Sequence, residues 1–375
     1  MLLIEQSGRV RTLVLNRPEV RNALSSGLID ALRSELANAD HADDVDVVIL
    51  TGAGSAFCAG LDLAELGSST DSARLLDHAD VPVGHPWRPI SKPIIGAVNG
   101  VAATGVGAMD PVTGATRPFA VNTVLTNQGT KSAIWGLSTD GTNVYGSAYD
   151  FGGPGNFEGT FSARAAGGAL NFAAFCRGDN YDNFATSTVL YVASHAHRCD
   201  YIDGWADSAG AQIWKHGNAF GLTPTTTVKG GFTNSNFNGR PAPALLHWYP
   251  SFSQGTVTGQ YQAGWTVEGN EQYVAYAGEF PRVNGVAQQG LVRFAVPSLA
   301  PNESGPVAGG MEPTVTPVGP GAVRVSWKTT NDMDNEHLTY RVYRDDATTP
   351  LHTVTQASSW WRMPTIGVGD TGLSA

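Results

Sequence analysis

A glycine-rich turn is the first feature of this sequence that could do chemistry. Residues 51–66, TGAGSAFCAGLDLAEL, follow the apolar run Val47–Leu50 and lead into a helical pattern with Asp62 and Glu65 in its first turn. Backbone N–H groups at such a turn lack helical partners and can hold an anion or a developing oxyanion, helped by the helix dipole. The alternative is an ordinary strand-to-helix corner in which glycine allows a tight turn.

A second candidate cluster combines thiols, imidazoles and carboxylates. It contains Cys176, Arg177, Asp179, His195, His197, Cys199 and Asp200. An H-x-H pair with a nearby cysteine and carboxylates could ligate Zn²⁺. The favoured interpretation is a disulfide between Cys176 and Cys199, with free thiols as a third alternative, so we expect no metal site. A disulfide would imply an oxidising compartment.

Aromatic residues of the second half form a third candidate surface. Trp205, Trp214, Trp248, Tyr249 and Trp265 could line a sugar-binding face, or they could pack in the core. A polysaccharide or cell-surface ligand is therefore a candidate partner. No Ser/His/Asp order or carboxylate pair is placed to support hydrolysis.

Composition and charge limit the function classes. The chain of 375 residues is long enough for two or three domains, and its charged fraction of 15% with 45 glycines favours turn-rich β structure. A net charge of −10 argues against a nucleic-acid partner. No segment approaches the ~20 apolar residues of a membrane span. The N-terminal residues do not resemble a signal peptide, which favours the cytoplasm by default.

The N-terminal elements that would position the glycine-rich turn follow an α/β pattern. Arg9–Asn16 alternates as a half-buried strand, and Val47–Leu50 reads as a parallel strand covered on both faces. Between them, Ser25 or Ser26 is the predicted N-cap of a helix whose apolar face contains Leu28, Ile29, Leu32 and Leu36. Strand, helix and strand at this spacing predict a right-handed βαβ unit.

From Asp110 onward the helical periodicity disappears, and short alternating runs separated by glycine-containing turns predict antiparallel strands. The predicted strands are Ser132–Leu137, Asn143–Tyr149, Thr160–Ala163, Thr188–Ser194, Leu245–Trp248, Gln262–Val267, Gln272–Gly278 and Gly290–Val296. A linker at Pro301–Gly310 precedes two more alternating strands, in which Trp327 and Tyr340 point into a core and Asp332–Asn335 forms the turn.

The N-terminal motifs resemble the enoyl-CoA hydratase/isomerase, or crotonase, family. They are NRPEVRNALS (16–25), VVILTGAGSAFCAGLDL (47–63) and KPIIGAVNGVAATG (92–105). The resemblance implies backbone oxyanion donors at Leu61 and Gly105, which would polarise the carbonyl of an acyl-CoA thioester. It also implies CoA contacts from Arg21 to the phosphates and from the Ala23 backbone to the pantetheine arm. Acyl-CoA would be a substrate, and no cofactor is expected.

The same resemblance implies proton-transfer residues that this sequence lacks. An acid would follow one helical turn after the second oxyanion glycine, where Ala108 stands. A second acid would come about two dozen residues later, but nothing acidic lies between Asp110 and Asp140. Without a carboxylate no group can activate water or move the α-proton.

Two further resemblances cover the rest of the chain. GEFPRVNGVAQQGLVRF (278–294) and its surroundings resemble actinobacterial secreted β-propeller proteins, often called PKD- or LamG-domain-containing. GAVRVSWKTTNDMDNEHLTYRVYRDD (321–346) resembles a fibronectin type III or PKD-like module, which the chain carries in truncated form.

These patterns predict a multidomain chimera. Its parts are a crotonase-like α/β fragment (1–105), all-β propeller-like blades (106–304) and an incomplete β-sandwich (305–375). The pentapeptide VNGVA occurs near the end of the first part and again at 283–287, in the second part. We therefore predict an acyl-CoA half-site without a complete active site. The alternatives are a functional hydratase/isomerase and an extracellular carbohydrate- or surface-binding protein. The compartment stays open, because the first part indicates the cytoplasm and the second indicates secretion.

Overall fold

The computed structural model of the chain divides into two compact units, Met1–Phe119 and Ala120–Ala375. It describes residues 1–54, 57–58, 62, 64–65, 94–97, 105–109, 116–129, 131–207, 213–230, 236–300, 304–307 and 309–373. Within these ranges no helix has both the length and the apolar character needed to cross a membrane. The predicted domain boundaries after residues 105 and 304 stay predictions.

Within the described residues, the first unit contains a four-stranded sheet and a long helix. Its elements are β1 (Leu2–Ser7), β2 (Val10–Leu15), a 3₁₀ turn (Pro18–Val20), α1 (Ser26–His41), β3 (Val47–Gly52) and β4 (Ile94–Ala97). The sheet has the order β1-β2-β3-β4, with β1 antiparallel to β2 and the other neighbours parallel. Strands β2 and β3 with helix α1 form the predicted βαβ unit.

Helix α1 begins at a side-chain cap and buries one face in the core of this unit. Ser25 has extended backbone, and its Oγ accepts a hydrogen bond from the N–H of Leu28 at 3.3 Å. The helix buries the predicted apolar face, including Leu32 and Leu36, against the sheet residues Leu13 and Val48. Burial of this face, rather than helix propensity alone, holds the helix on the sheet.

After the motif that ends at Gly105, the next described element is a strand and not a helix. Strand β5 (Ala108–Met109) pairs antiparallel with β6 (Thr116–Arg117). Gly105 lies three residues before β5 and is partly exposed.

The second unit is built from successive antiparallel sheets, with 3₁₀ turns at Ala120–Thr123 and Asp200–Ile202. The first sheet contains β7 (Ser132–Thr139), β8 (Asn143–Asp150), β9 (Gly159–Arg164) and β10 (Leu170–Ala174). The second contains β11 (Asn180–Ala185), β12 (Val189–Ala196), β13 (Lys215–Thr227) and β14 (Pro241–Leu245). The third contains β15 (Gly264–Gly269), β16 (Tyr273–Gly278) and β19 (Leu291–Ala295), with a short hairpin of β17 (Arg282–Val283) and β18 (Val286–Ala287). In the first two sheets, strands that follow each other in the chain are neighbours.

Buried polar contacts join each sheet to the next. Asn183 of β11 donates from Nδ2 to Ser147 Oγ of β8 at 2.9 Å. The Tyr276 hydroxyl of β16 donates to the carbonyl of Val192 in β12 at 3.2 Å. Because these donors and acceptors lie in the interior, each contact fixes one relative position of two sheets.

The C-terminal part contains two smaller sheets. One is β20 (Thr314–Gly319), β21 (Ala322–Lys328) and β24 (Thr365–Thr371), and the other is β22 (His337–Val342) and β23 (His352–Ala357). Trp327 and Tyr340 lie with ring centroids 5.9 Å apart and line a cavity of about 740 Å³. The predicted turn at Asp332–Asn335 is held by the Asp332 carboxylate, which accepts from the Asp334 N–H at 2.8 Å.

Most predicted strands of the second unit form close to their predicted bounds, but β10, β11 and β13 were not predicted. Proline is involved in two of the differences. The strand predicted over Leu245–Trp248 lies at β14, Pro241–Leu245, on the edge of its sheet. Strand β13, which was not predicted, contains Pro224 at a register shift against β14. Edges and bulges are the places where a sheet tolerates proline, because no ladder donor is lost there.

Candidate functional site

The predicted CoA contacts, Arg21 and Ala23, lie in the turn between β2 and α1. Arg21 (φ 53°) and Asn22 (φ 58°) are consecutive left-handed residues. Asparagine tolerates this conformation better than most residues. The buried Asn22 side chain accepts from the Arg17 N–H at 2.8 Å and donates to the Ala53 carbonyl at 2.8 Å. It therefore ties this turn to the chain that leaves β3.

The backbone of Ala23 is already partly engaged. Its N–H donates to the Val20 carbonyl at 3.1 Å, and its carbonyl accepts from Arg17 Nη1 at 2.7 Å. A carbonyl oxygen has a second acceptor position, whereas the N–H has only one proton. The carbonyl is therefore the Ala23 group that can contact a ligand. The neighbouring Arg21 side chain is exposed.

Arg17 also binds the residue that follows the glycine-rich turn. Its Nη1 lies 2.9 Å from Asp62 Oδ2, and both side chains are mostly buried. The Arg17 guanidinium holds the pKa of Asp62 below its ordinary value. Asp62 Oδ1 accepts from the Ala64 N–H at 3.1 Å, and the Asp62 N–H donates to the Leu24 carbonyl at 3.0 Å. One arginine thus anchors both turns, and the sequence patterns did not single it out.

The predicted oxyanion pair is only half within the described part of the chain. Gly105 is described, whereas Leu61 lies outside the described residues, so the pair stays a prediction. Ala108 begins β5, which places a methyl group on a strand where the family resemblance implied an acid on a helix. A methyl group cannot accept or donate a proton, so Ala108 gives no general acid or base.

The predicted thiol and imidazole cluster separates into different networks. Cys176 and Cys199 are joined as a disulfide and are fully buried, linking the chain after β10 to the chain after β12. His197 Nδ1 lies 2.9 Å from Asp207 Oδ1, whereas the His195 ring contacts Tyr181 and Gln262. Within the ranges that the structure describes, no three His, Cys, Asp or Glu side chains could together hold a metal ion.

The predicted aromatic surface also divides. Trp205 is buried, with its ring centroid 5.3 Å from that of Trp360. Trp248 packs edge-on against Tyr191 at 5.1 Å. Of the five predicted aromatic residues, Trp265 alone lines the cavity described below, so they do not form one face.

Comparison with known proteins finds a family match for the N-terminal residues. Residues 5–110 match the model of the Enoyl-CoA hydratase/isomerase family. The probable enoyl-CoA hydratase echA6 of Mycobacterium leprae (strain TN) is 39% identical over 105 residues, which is 27% of this chain and 41% of that protein. The 2,3-dehydroadipyl-CoA hydratase of Escherichia coli (strain K12) is 37% identical over 101 residues, covering 27% and 39% of the two chains.

A solved structure gives the same coverage. The enoyl-CoA hydratase from Mycobacterium tuberculosis H37Rv is 50% identical, covers 28% of this chain and 41% of its own, and has a TM-score of 0.22. The chain therefore spans about two-fifths of the length of the relatives that it matches. The matched family residues end at 110, so the propeller, PKD and fibronectin type III resemblances stay predictions.

Proposed function

We propose that the first unit binds an acyl-CoA thioester without completing its hydration. The observation that carries this proposal is the family match over residues 5–110 together with the ordered turn at Arg21–Ala23. The exposed Arg21 would contact the CoA phosphates, and the Ala23 carbonyl would accept from a pantetheine amide N–H. The N–H groups of Leu61 and Gly105 would hold the thioester oxygen.

The proposal omits catalysis because of the residues that follow Gly105. Position 108 is alanine, and residues 111–139 contain no Asp or Glu. Oxyanion donors alone stabilise charge on the carbonyl, but hydration also needs a group that activates water. We therefore expect a thioester to bind and to leave unchanged.

Calorimetric titration of the full chain with crotonyl-CoA tests the binding site. An Arg–phosphate hydrogen bond contributes about 1.5–3 kcal/mol, so Arg21→Ala should weaken binding roughly tenfold or more. Arg11→Ala is the matched control, since Arg11 lies on β2 and its guanidinium donates to Gln6 Oε1. Equal binding by the wild type and Arg21→Ala would contradict the role of Arg21.

For the second unit we infer a secreted-type binding or structural region of propeller-like blades followed by a fibronectin type III-like module. Three successive antiparallel sheets support the blades, and the Trp327–Tyr340 pair supports the module. Joined to the first unit, these parts would make the chain a chimera. Mass spectrometry of proteins from the native organism tests the junction. A peptide covering residues 93–117 is expected, and finding the two parts only as separate proteins would contradict the chimera.

A further inference from the structure

The first three sheets of the second unit meet around a cavity of about 450 Å³. Its aromatic walls include Trp135 from β7, Tyr149 from β8, Tyr181 from β11 and Trp265 from β15. Asp179 and His195 also line it. The cavity therefore takes side chains from each of the three sheets.

Each of the three sheets places one of these rings at a β-bulge in its first strand. The pairing of each sheet's first strand with the second skips one residue, which is Trp135 in β7, Tyr181 in β11 and Trp265 in β15. A β-bulge re-aims the side chain of the extra residue, and bulges are enriched next to functional sites. The three aromatic bulges therefore repeat one local arrangement, and all three rings line the same cavity.

A glycine next to the first bulge permits the convergence. A Cβ on Gly136 would lie 2.7 Å from the carbonyl oxygen of Tyr181. Any side chain at this position would separate β7 from β11 and move Trp135 away from Tyr181. The absence of a side chain therefore keeps the two rings on one cavity.

The aromatic rings of the cavity lining contact one another, with Trp135 next to the other three. The Trp135 ring lies 5.4 Å from that of Tyr149 at 69° and 6.0 Å from that of Tyr181 at 77°. Trp265 lies 4.5 Å from Tyr181. Trp135 remains 59% exposed, although it is a large apolar side chain at the entrance. Trp265 also stacks on Trp135, with ring centroids 6.4 Å apart at 29°. The steep angles are those between Trp135 and the two tyrosines, so the lining presents more than one π-face, and such faces attract a cation.

The histidine at this cavity carries no positive charge. The backbone N–H of Asp179 donates to His195 Nε2 at 3.1 Å, so Nε2 is an acceptor and is unprotonated. The single ring proton is on Nδ1, which lies 3.0 Å from Gln262 Oε1 and 2.8 Å from the Tyr181 hydroxyl oxygen. Burial lowers the pKa of His195, in agreement with a neutral ring.

The cavity instead carries an uncompensated negative charge. The Asp179 carboxylate makes no hydrogen bond or ion pair to any residue that the structure describes, and it is the one charged side chain among the described residues of the lining. Burial and the neighbouring Asp150 raise the pKa of Asp179 to about 6, so it is mostly ionised at pH 7. His197 acts in the opposite direction on the pKa of Asp179, but its own ring contacts the carboxylate of Asp207. A half-buried carboxylate without a partner favours a cationic ligand.

We propose that this aromatic cavity binds a small organic cation, such as a quaternary or methylated ammonium group. The rings of Trp135, Tyr149, Tyr181 and Trp265 would enclose the alkyl groups, and Asp179 would supply the counter-charge. A neutral sugar is the competing ligand, and it would not need the charge of Asp179.

Titration of the full chain with choline and with its uncharged tert-butyl isostere, neohexyl alcohol, tests the proposal by tryptophan fluorescence and calorimetry. Choline should bind at least about tenfold more tightly than the alcohol at pH 7. Asp179→Asn should remove this preference with little effect on the alcohol. Trp135→Ala should abolish binding of both, whereas Leu137→Ala, an exposed apolar change on the same strand, should leave both unchanged.

Three outcomes would overturn the proposal. They are equal affinity for choline and neohexyl alcohol, an unaltered preference in Asp179→Asn, and binding of glucose or cellobiose without choline binding. The last result would assign the cavity to neutral sugars. Circular dichroism and thermal unfolding of each variant show that it is folded, which the exposure of Trp135 and the isosteric Asp179 change lead us to expect.

Discussion

Replacement of both Cys176 and Cys199 by alanine should destabilise the second unit strongly. The disulfide closes a chain segment with a sequence separation of 23 and joins the regions after β10 and β12. In the chain-entropy treatment, a loop of this length restricts the unfolded chain by about 3.4 kcal/mol. For a unit of this size each kcal/mol corresponds to about 2–4 °C in Tm. The expected decrease in Tm is therefore roughly 7–14 °C.

Tryptophan fluorescence during heating measures this change, because of the nine tryptophans only Trp87 precedes residue 120. Cys58→Ala is the control, since Cys58 lies in the first unit and is not part of the Cys176–Cys199 disulfide. Reductant should lower the wild-type Tm by a similar amount and leave the double variant unchanged. Titration of three free thiols in the native, unreduced protein, or an unchanged Tm on reduction, would refute the reasoning.

Two further predictions concern one residue in each unit. Ser25→Ala removes the helix cap and should lower the unfolding free energy of the first unit, measured by urea denaturation, by about 1 kcal/mol. The control Ser34→Ala, at an exposed position inside α1, should not lower it. Equal losses in the two variants would argue against the cap. Burial lowers the pKa of His216 to about 4, so between about pH 6.5 and 4 the unfolded chain binds a proton that the folded chain does not. The stability contributed by neutral His216 should therefore be lost as pH falls through this window, by up to about 3 kcal/mol. The difference in unfolding free energy between the wild type and His216→Asn should shrink correspondingly. A difference that does not change with pH would contradict the buried neutral ring.

Periodicity predicted helix α1 and strands β2 and β3 well because local signals and burial agree there. Leu28, Leu32 and Leu36 recur at the helical spacing and do form the buried face, and Ser25 is the cap. The Arg17–Asp62 pair could not be predicted from spacing, since the partners are 45 positions apart in the sequence and meet only in the folded structure. Asn22 carried a weak signal, because asparagine is favoured in left-handed turns.

Alternation predicted many strands of the second unit but not its cavity. A bulge inserts one residue into the period of two, so Trp135, Tyr181 and Trp265 interrupt the pattern that reveals their strands. The rings come from three strands far apart in the sequence, and only the contacts between sheets show that they converge. His195 was identified by its residue type, but its partners Tyr181 and Gln262 were not.

The most direct test of the account follows crotonyl-CoA with the purified full chain in two ways at once, as heat of binding and as loss of the enoyl thioester absorbance. We expect saturable binding, weakened in Arg21→Ala, with no loss of the enoyl absorbance above the background rate. Turnover above background that is abolished by Gly105→Pro would contradict the account, because it would show that another part of the chain supplies the missing carboxylate. Absence of binding would contradict it equally, because the first unit would then hold no acyl-CoA site.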